Sequence, residues 1–472
     1  MKIFSILFTD GLPEMVRVMK GLKGHSFDVT YFVVADPVSV EMRNQFPGAV
    51  FHTHFEALLG KPANGVDTAQ FYPPSEKLLQ KLLSTESILL TMMNKLLGHL
   101  SVSERKHLYY TMVQYWLGVL TAHKPDAIIF PLVPHEVYDL VIYALAKELG
   151  IRTIMFTATQ DFVRLMPFNE YTEGVVVLNK EMEIIRGQQF LLKDIDPDIQ
   201  RYVKKHTEVH QDATPPNMKN LKDRYGAKKR DIILSALKDF SIFSKALRYL
   251  QKKIGHNAIV EYRSVESPPD FSSKFVYVPL QYQPEATTSP LGGVFVDQRL
   301  LVETVAAAIP DGWQVYVKEH PRQFVFNGLN FSQYRYPGYY KGLAELPNVR
   351  VIPTATDTFT LIHSAQAVAL NTGTAGLEAL LRKIPVLVFG YAWYRNCPGV
   401  WNVRDTRSCK DALTSIQQGY TVDYNAVINF FVAVSRVSFR GYIEPHTKRL
   451  AGVSESENCA NLIRVILQEL RQ

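Results

Sequence analysis

The stretch DAIIFPLVPHEVYDLVIYALAKELGIRTIMFTA, residues 126–158, decides the fold. DAIIFPLV is a short apolar run, VYDLVIYALAKELG repeats its apolar residues at helical spacing up to a Gly stop, and IRTIMFTA is apolar again. Two short apolar strands joined by one helix pair in parallel, because a hairpin cannot connect parallel strands. In open sheets of this kind the loops after the carboxyl ends of the strands carry the ligand site.

The same alternation runs outward in both directions. Upstream, KIFSILFT reads as a strand, PEMVRVMKGL as an amphipathic helix and FDVTYFVVA as a second strand, followed by a Leu-rich helical stretch over about 74–122. The apolar run FSILFT stops at Asp10, too short for a secretory core, and no apolar run approaches the ~18 residues of a membrane span. Downstream, the pattern restarts at KFVYVPLQYQ. It continues through QRLLVETVAAAI, WQVYVKEH, NVRVIP, TFTLIHSA, AVALN, TAGLEALLRK and PVLVFG, a second strand–helix series. The tail SESENCANLIRVILQELRQ reads as a helix capped by Ser454 or Ser456. The expected fold is α/β: two Rossmann-like, doubly wound domains facing a cleft, with a basic helical insertion and a C-terminal helix. The expected partition is an N-terminal domain over 1–200, an insertion over 201–265, a second domain over 266–440 and a tail over 441–472.

At 472 residues with 47% hydrophobic and 21% charged residues, the chain excludes wholesale disorder, a fibrous repeat and a polytopic membrane protein. Three scattered cysteines exclude a disulfide scaffold and a zinc finger, and suit a reducing, cytoplasmic compartment. The net charge of +7 fits anionic ligands or an anionic surface without calling for nucleic acid. That charge is concentrated: residues 201–254 hold 14 Lys/Arg against 5 Asp/Glu, a net of +9. Within them DIILSALKDFSIFSKALRYLQKKIG, beginning at Asp231, has bulky apolar residues on one helical face and Lys on the other. It is either a helix packed on a domain surface or one lying on anionic lipid at the inner face of the plasma membrane.

Three segments of the second half and two of the first carry candidate chemistry. In AVALNTGTAGLEALLRK a buried strand ends in Asn371-Thr372-Gly373-Thr374 and a helix starts at once. Such a turn is either an ordinary βα turn or a phosphate cradle, with Glu378 placed to accept from ribose hydroxyls. It lacks the Lys of a P-loop and the glycines of a dinucleotide fold. In VYVKEHPRQF, Pro321 ends a strand just after Lys318 and His320, and with Arg322 these are three donors for a nucleotide phosphate. In VPLQYQPEATTSPLGG, Gln283 and Glu285 lie on a polar loop after a strand, where a carboxylate serves as base, nucleophile or ligand. In the first half, His135, Glu136 and Asp139 follow the strand of the opening stretch, either as helix caps or as acceptor-binding and acid–base groups. Gln160 and Asp161 end the neighbouring strand and are further acceptor candidates. The DIDPD run at 194–198 reads as a helix opening rather than a metal cluster, and no metal is expected.

QPEATTSPLGG, KEHPR, TDTFTLIHSA and NTGTAGLEALLRKIPVLVFGYAWY together resemble the capsule polysaccharide biosynthesis proteins, glycosyltransferases of the two-Rossmann (GT-B) type related to bacterial retaining β-Kdo transferases. The resemblance covers about residues 275–400. It implies that His320-Pro321, preceded by Lys318, contacts the CMP part of a CMP-sugar donor. It also implies that Thr372–Thr374 with Glu378 cradles the nucleotide, and that the catalytic carboxylate lies beside Gln283. Here that loop reads Gln283-Pro284-Glu285-Ala286, where relatives commonly show two adjacent acids. The expected function is transfer of a sugar, Kdo or a related acidic sugar, onto a growing lipid-linked surface glycan. Glu285 acts at the anomeric centre and His135 or Glu136 takes the acceptor proton; no cofactor beyond the donor is expected. Two alternatives stay open: a sugar-nucleotide epimerase of the same two-domain shape, and a non-enzymatic scaffold of capsule assembly.

If residues 231–254 dock on lipid, each Lys or Arg near the surface contributes on the order of 1 kcal/mol and salt releases the protein. Co-sedimentation with phosphatidylserine-containing vesicles is then expected at low salt and is lost at high salt. Equal recovery with neutral and anionic vesicles assigns the stretch to packing.

Overall fold

The computed structural model describes residues 1–9, 11–35, 38–159, 163–207, 257–324 and 334–471. Gln160, Asp161 and the basic stretch 231–254 lie outside them. The expected α/β architecture is present as two sheets. The first runs in the order β13-β6-β5-β4-β1-β2-β3, from β1 (Lys2–Ile6), β2 (Asp28–Val34), β3 (Val50–Thr53), β4 (Ala127–Ile129), β5 (Arg152–Thr159), β6 (Arg164–Phe168) and β13 (Phe439–Arg440). Strands β1 to β5 are parallel, while β6 and β13 add antiparallel to one edge. The second sheet is all parallel in the order β12-β11-β10-β7-β8-β9. It comprises β7 (Phe275–Pro279), β8 (Gln314–Lys318), β9 (Val349–Val351), β10 (Ala367–Leu370), β11 (Val386–Val388) and β12 (Val400–Asn402).

Counted from its own first strand, the second sheet has the order 3-2-1-4-5-6, and the parallel part of the first has 3-2-1-4-5. Both therefore reverse direction once, between β1 and β4 and between β7 and β10. In open sheets of this kind a ligand binds at that reversal, outside the carboxyl ends of the strands. The fold thus nominates four loops before any side chain is considered: those after β1, β4, β7 and β10.

The strands form because their side chains are buried on both faces. Val276, Tyr277, Val315, Tyr316, Val368 and Ala369 are all fully buried, which is why these segments read as continuous apolar runs. The opening stretch folds as read, with its helix at Tyr138–Glu148 and Gly150 at a left-handed φ of +69°. The stretch 74–122 is not one helix but Glu76–Lys81, Leu83–Met92 and Val102–His123, the last opened by a capping box from Ser101 and Glu104. Among the described residues, no helix is long and apolar enough to cross a membrane.

The chain crosses between the two sheets twice, at places the composition does not mark. Helices Val176–Ile184 and Pro197–Thr207 leave the first sheet and pack Leu178, Ile199 and Val203 into the core of the second, with Leu377 and Phe431. After helix Tyr424–Val437 the chain returns: β13 pairs with β6, and helix Glu455–Arg471 covers one face of the first sheet beside Met15, Phe32 and Phe156. The expected tail is therefore part of the first domain's core, and the expected boundary at residue 200 falls inside a helix of the second. Ser454 is the cap of the terminal helix, accepting from the Glu457 N–H at 3.2 Å.

One side chain holds both crossings. Arg164, buried in β6, donates to Asp198 at 2.7 and 3.1 Å and to Asp196 on the outgoing segment. On the returning one it donates to the carbonyls of Ser435 and Ser438, at 3.4 and 3.3 Å. The DIDPD acids thus open a helix, as read, and also bind this arginine. Removing one partner of a buried pair costs about 3–5 kcal/mol. Arg164→Met is expected to lower the urea midpoint markedly and to speed proteolysis near 190–200 and 435–441; wild-type values for both would refute the clamp.

Candidate functional site

Three of the nominated loops, those after β4, β7 and β10, come together. The loop after β7 carries Glu285, whose carboxylate accepts from Arg322 Nη1 at 3.1 Å, and Arg322 in turn lies 4.9 Å over the ring of Tyr282. Glu285 keeps 39% of its side-chain surface yet sits deep among protein atoms of both domains. That burial pushes its carboxyl above the usual range, while Arg322, His135, Thr287 and Lys95 offset part of the shift. His135 and Lys95 belong to the first domain, so loops of the two sheets face each other here.

On that first-domain side, Glu136 accepts from Lys95 Nζ at 2.6 Å and lies 3.6 Å from His135 Nε2. The other His135 nitrogen, Nδ1, donates to the Val133 carbonyl at 2.8 Å. In the neutral ring this leaves Nε2 with a lone pair beside Glu136, the arrangement of a proton acceptor. Asp139 does not join them in the cleft. It is buried, and its carboxylate accepts the N–H groups of His135, Glu136 and Leu140 at 2.8, 2.7 and 2.8 Å. Burial raises its pKa, with the N–H donors pulling the other way. It holds the turn in which Val137 sits at φ +75°, a costly position for a β-branched residue. Leu7, just after β1, is likewise left-handed at φ +56°, and the Thr9 hydroxyl is buried without a partner among the described residues. Backbone strain therefore marks both exits that flank the first sheet's reversal.

At the end of β8, the three expected phosphate donors separate. Lys318 is buried, and its ammonium donates to the Thr356 carbonyl at 2.8 Å and the Thr358 hydroxyl at 2.6 Å, fixing the loop after β9. Burial brings its pKa down to about 8. His320 is held near 4 by burial, so it is neutral at pH 7. Its Nδ1 accepts from the Arg322 N–H at 3.2 Å, which puts the proton on Nε2, free of protein partners among the described residues. Pro321 starts the short turn Pro321–Phe324 that carries Arg322 beside Glu285. The expected trio is thus one cation, one neutral donor and one lysine engaged with the loop.

The turn after β10 is held from below. The Thr372 N–H donates to Gln281 Oε1 at 2.9 Å, and its hydroxyl donates to the Thr287 carbonyl at 2.6 Å. Gly373 lets the turn lie against Gln281, which a Cβ there would meet at 3.3 Å. Thr374 is exposed at the start of helix Ala375–Leu381, and Glu378 is buried one turn in, in the electrostatic reach of Tyr277 and Tyr394. Tyr394 donates from its hydroxyl to the Gly373 carbonyl.

Sequence reading missed what binds these loops into one body. Glu319, fully buried, pairs with Arg335 at 2.5 Å and accepts from Tyr340 Oη at 2.6 Å and the His320 N–H at 2.7 Å. Arg335 also donates to Gln283 Oε1 at 2.6 Å and the Gln281 carbonyl at 3.3 Å. Gln298 donates to the same Gln283 oxygen at 3.0 Å, and the Gln323 side chain joins the Gln283 backbone on both sides. Gln283 is thereby a buried brace for Glu285. A cluster of glutamines closing on one loop arginine has no local pattern to find. Among the described residues, no group of three or more His, Cys, Asp or Glu is placed to hold a metal ion.

Two facing doubly wound sheets with a polar site across their reversals are the GT-B architecture. The sequence pattern of the capsule polysaccharide biosynthesis protein family matches residues 203–439, half of the chain, and the protein belongs to that family. No curated protein matches it. Among solved structures, UDP-GlcNAc 2-epimerase from Methanocaldococcus jannaschii is similar over 93% of this chain and 99% of its own, at 13% identity and a TM-score of 0.27. KpsC of Thermosulfurimonas dismutans, a β-Kdo 2,7 transferase, is similar over 75% and 89%, at 11% identity and a TM-score of 0.33. At such TM-scores neither likeness carries an argument, and the fold rests on the strand order.

The Glu319–Arg335 pair has its own test. Arg335→Met leaves a buried carboxylate and is expected to cost about 3–5 kcal/mol, whereas Glu319→Leu with Arg335→Met removes both charges and recovers part of that loss. Additive losses in urea titrations of the two singles and the double would show that the two residues act separately.

Proposed function

We propose that the protein is a nucleotide-sugar-dependent glycosyltransferase that extends a surface glycan. The observation that carries this reading is the meeting of Glu285 and Arg322 with His135, Glu136 and Lys95 at the facing sheet reversals. The donor, taken as a CMP-sugar, lies on the second domain with its phosphate toward Arg322 and His320 Nε2 and its nucleoside over Thr372–Thr374 and Glu378. The acceptor enters from the first domain toward His135; Gln160 and Asp161 follow β5 and belong to that side in this reading.

In the reaction the bond from the anomeric carbon to the donor phosphate oxygen breaks, and the acceptor oxygen forms the new bond to that carbon. The acceptor's proton passes to His135 Nε2, with Glu136 beside the imidazolium to stabilise it. Positive charge building at the anomeric carbon is stabilised by Glu285, directly or through a covalent intermediate. Arg322 is shared between Glu285 and the departing phosphate, where developing negative charge draws it. Closing the two domains over the donor excludes the water that would hydrolyse it. Docking of 231–254 on the inner leaflet keeps the cleft near a lipid-linked acceptor.

Glu285→Gln is expected to leave nucleotide binding intact and lower turnover by about two orders of magnitude. His320→Ala removes a neutral donor and is expected to weaken nucleotide binding by only about 0.5–1.5 kcal/mol. Titration with CMP, UDP, GDP and CDP, then CMP-Kdo with and without an acceptor glycan, tests the whole. Binding of no nucleotide, or an epimer formed without acceptor, overturns the transferase reading.

A further inference from the structure

The carboxyl edge of the second sheet continues past the Thr372 turn to a pair of arginines that the proposed reaction leaves unused. Tyr391 follows β11, Arg395 lies four residues on, and Arg404 follows β12. Both guanidiniums lie over the Tyr391 ring, at 5.5 Å for Arg395 and 5.3 Å for Arg404. Neither makes an ion pair among the described residues, in contrast to the buried Arg164 and Arg335, which both face carboxylates. Arg395 donates Nη1 to the Thr172 carbonyl at 2.8 Å and Nε to Asn402 Oδ1 at 3.2 Å. Arg404 donates Nη1 to the carbonyls of Phe389 and Val403, at 2.5 and 3.0 Å. The neighbouring acid, Asp405, is engaged in capping its own helix through Ser408.

Two cations are therefore held at one tyrosine ring by neutral acceptors, near enough for the charge of Arg404 to act on Arg395. Arg395 Nη2, Arg404 Nε and Nη2 and the Tyr391 hydroxyl have no protein partner among the described residues. Burial, with the charge of Arg404 close by, holds the Arg395 guanidinium below its usual range. Like charges held together without a counter-charge are unfavourable until an anion joins them.

The position is continuous with the candidate site on two sides. The Phe389 and Gly390 N–H groups donate to the carbonyls of Leu370 and Asn371 at the start of the Thr372 turn, at 2.9 and 3.1 Å. A Cβ on Gly293, at the far end of the segment that carries Glu285, would meet the Tyr391 ring at 3.3 Å. Planar guanidinium forks match a carboxylate bidentately.

We propose that Arg395, Arg404 and Tyr391 form a carboxylate subsite for an acidic sugar, next to the donor turn; this rests on the donor reading for its place in the reaction. The carboxylate belongs either to the transferred sugar or to the acid residue at the end of the acceptor, and the same forks read both.

The test compares the full-length protein with Arg395→Gln and Arg404→Gln, each first checked for a wild-type melting temperature. Three probes are titrated: CMP, CMP-Kdo and a uronic-acid oligosaccharide beside its carboxyl-reduced form. CMP affinity is expected to be unchanged, since the forks do not touch the nucleotide. A loss of tenfold or more for CMP-Kdo assigns the carboxylate to the donor. A similar loss for the acidic oligosaccharide, absent for its reduced form, assigns it to the acceptor. If CMP does not bind but the acidic oligosaccharide still depends on the arginines, the subsite stands and the donor reading falls. Equal binding of every probe to wild type and variants, or no preference for the acidic form over the reduced one, overturns the subsite.

Discussion

A carboxylate and a guanidinium can be buried together at little net cost only if their remaining polar atoms also find partners. Glu319 and Arg335, with side chains 0% and 1% exposed, meet that condition through Tyr340, the His320 N–H, Gln283 and Gln281. The consequence reaches beyond the pair. Gln281 continues to the Thr372 N–H, Gln283 braces the loop of Glu285, and the His320 N–H belongs to the strand end that bears Arg322. Three loops that leave three different strands are thus one hydrogen-bonded body. Even the helix that supplies Tyr340 is fixed from outside: Glu261 accepts the N–H groups of Gly338, Tyr340 and Lys341 at 3.0, 2.8 and 3.1 Å. The groups that would touch substrate can then be sparse, because their geometry is set by residues that do not.

The other half of the site comes from a different sheet, and its position depends on the crossings near Arg164. Contact between the domains also runs through Tyr334, whose hydroxyl donates to the Thr91 carbonyl at 3.1 Å, and through Arg395 on Thr172. Glu285 feels both domains: burial raises its pKa, and against that act Arg322 and Thr287 from its own domain together with His135 and Lys95 from the other. Its acidity is therefore set by the facing domain as well as by its own loop.

The parts of the fold legible in the sequence were those whose signal is local. Strands buried on both faces read as apolar runs, and the helix after them as a change of period, so the opening stretch and the series from 275 onward fold as read. Strands β6, β12 and β13 were not legible: β6 (RLMPF) carries an internal Pro and an Arg, β12 and β13 are three and two residues long, and β13 finds its partner some 270 residues away in the chain, at Arg164 and Leu165. Among the candidate residues, the strand-end rule named His135, Glu136, Glu285, His320, Arg322 and the Thr372 turn, which the fold places at the strand exits, but not the partners each side chain takes. Lys318 is engaged by Thr356 and Thr358 and Asp139 by three N–H groups, because a long or buried side chain takes the partners the tertiary fold offers it. Nothing in the string YRYPG around Arg335 distinguishes a structural centre from a surface arginine.

Strand order then turns scattered residues into a row. Across the second sheet from β8 to β12, the exits present in turn His320 and Arg322, the loop of Glu285, the Thr372 turn, Tyr391 and Arg404. With strands about 4.8 Å apart, these five exits span roughly 19 Å of one edge. A cation and a neutral donor stand at one end, an acid and a turn of backbone N–H groups in the middle, and a second cationic group at the other. A substrate laid along that edge would meet positive charge at two separated points, which favours a ligand with two separated anionic groups over a simple phosphate. In the proposed reaction, the acid between them faces the bond at which positive charge develops.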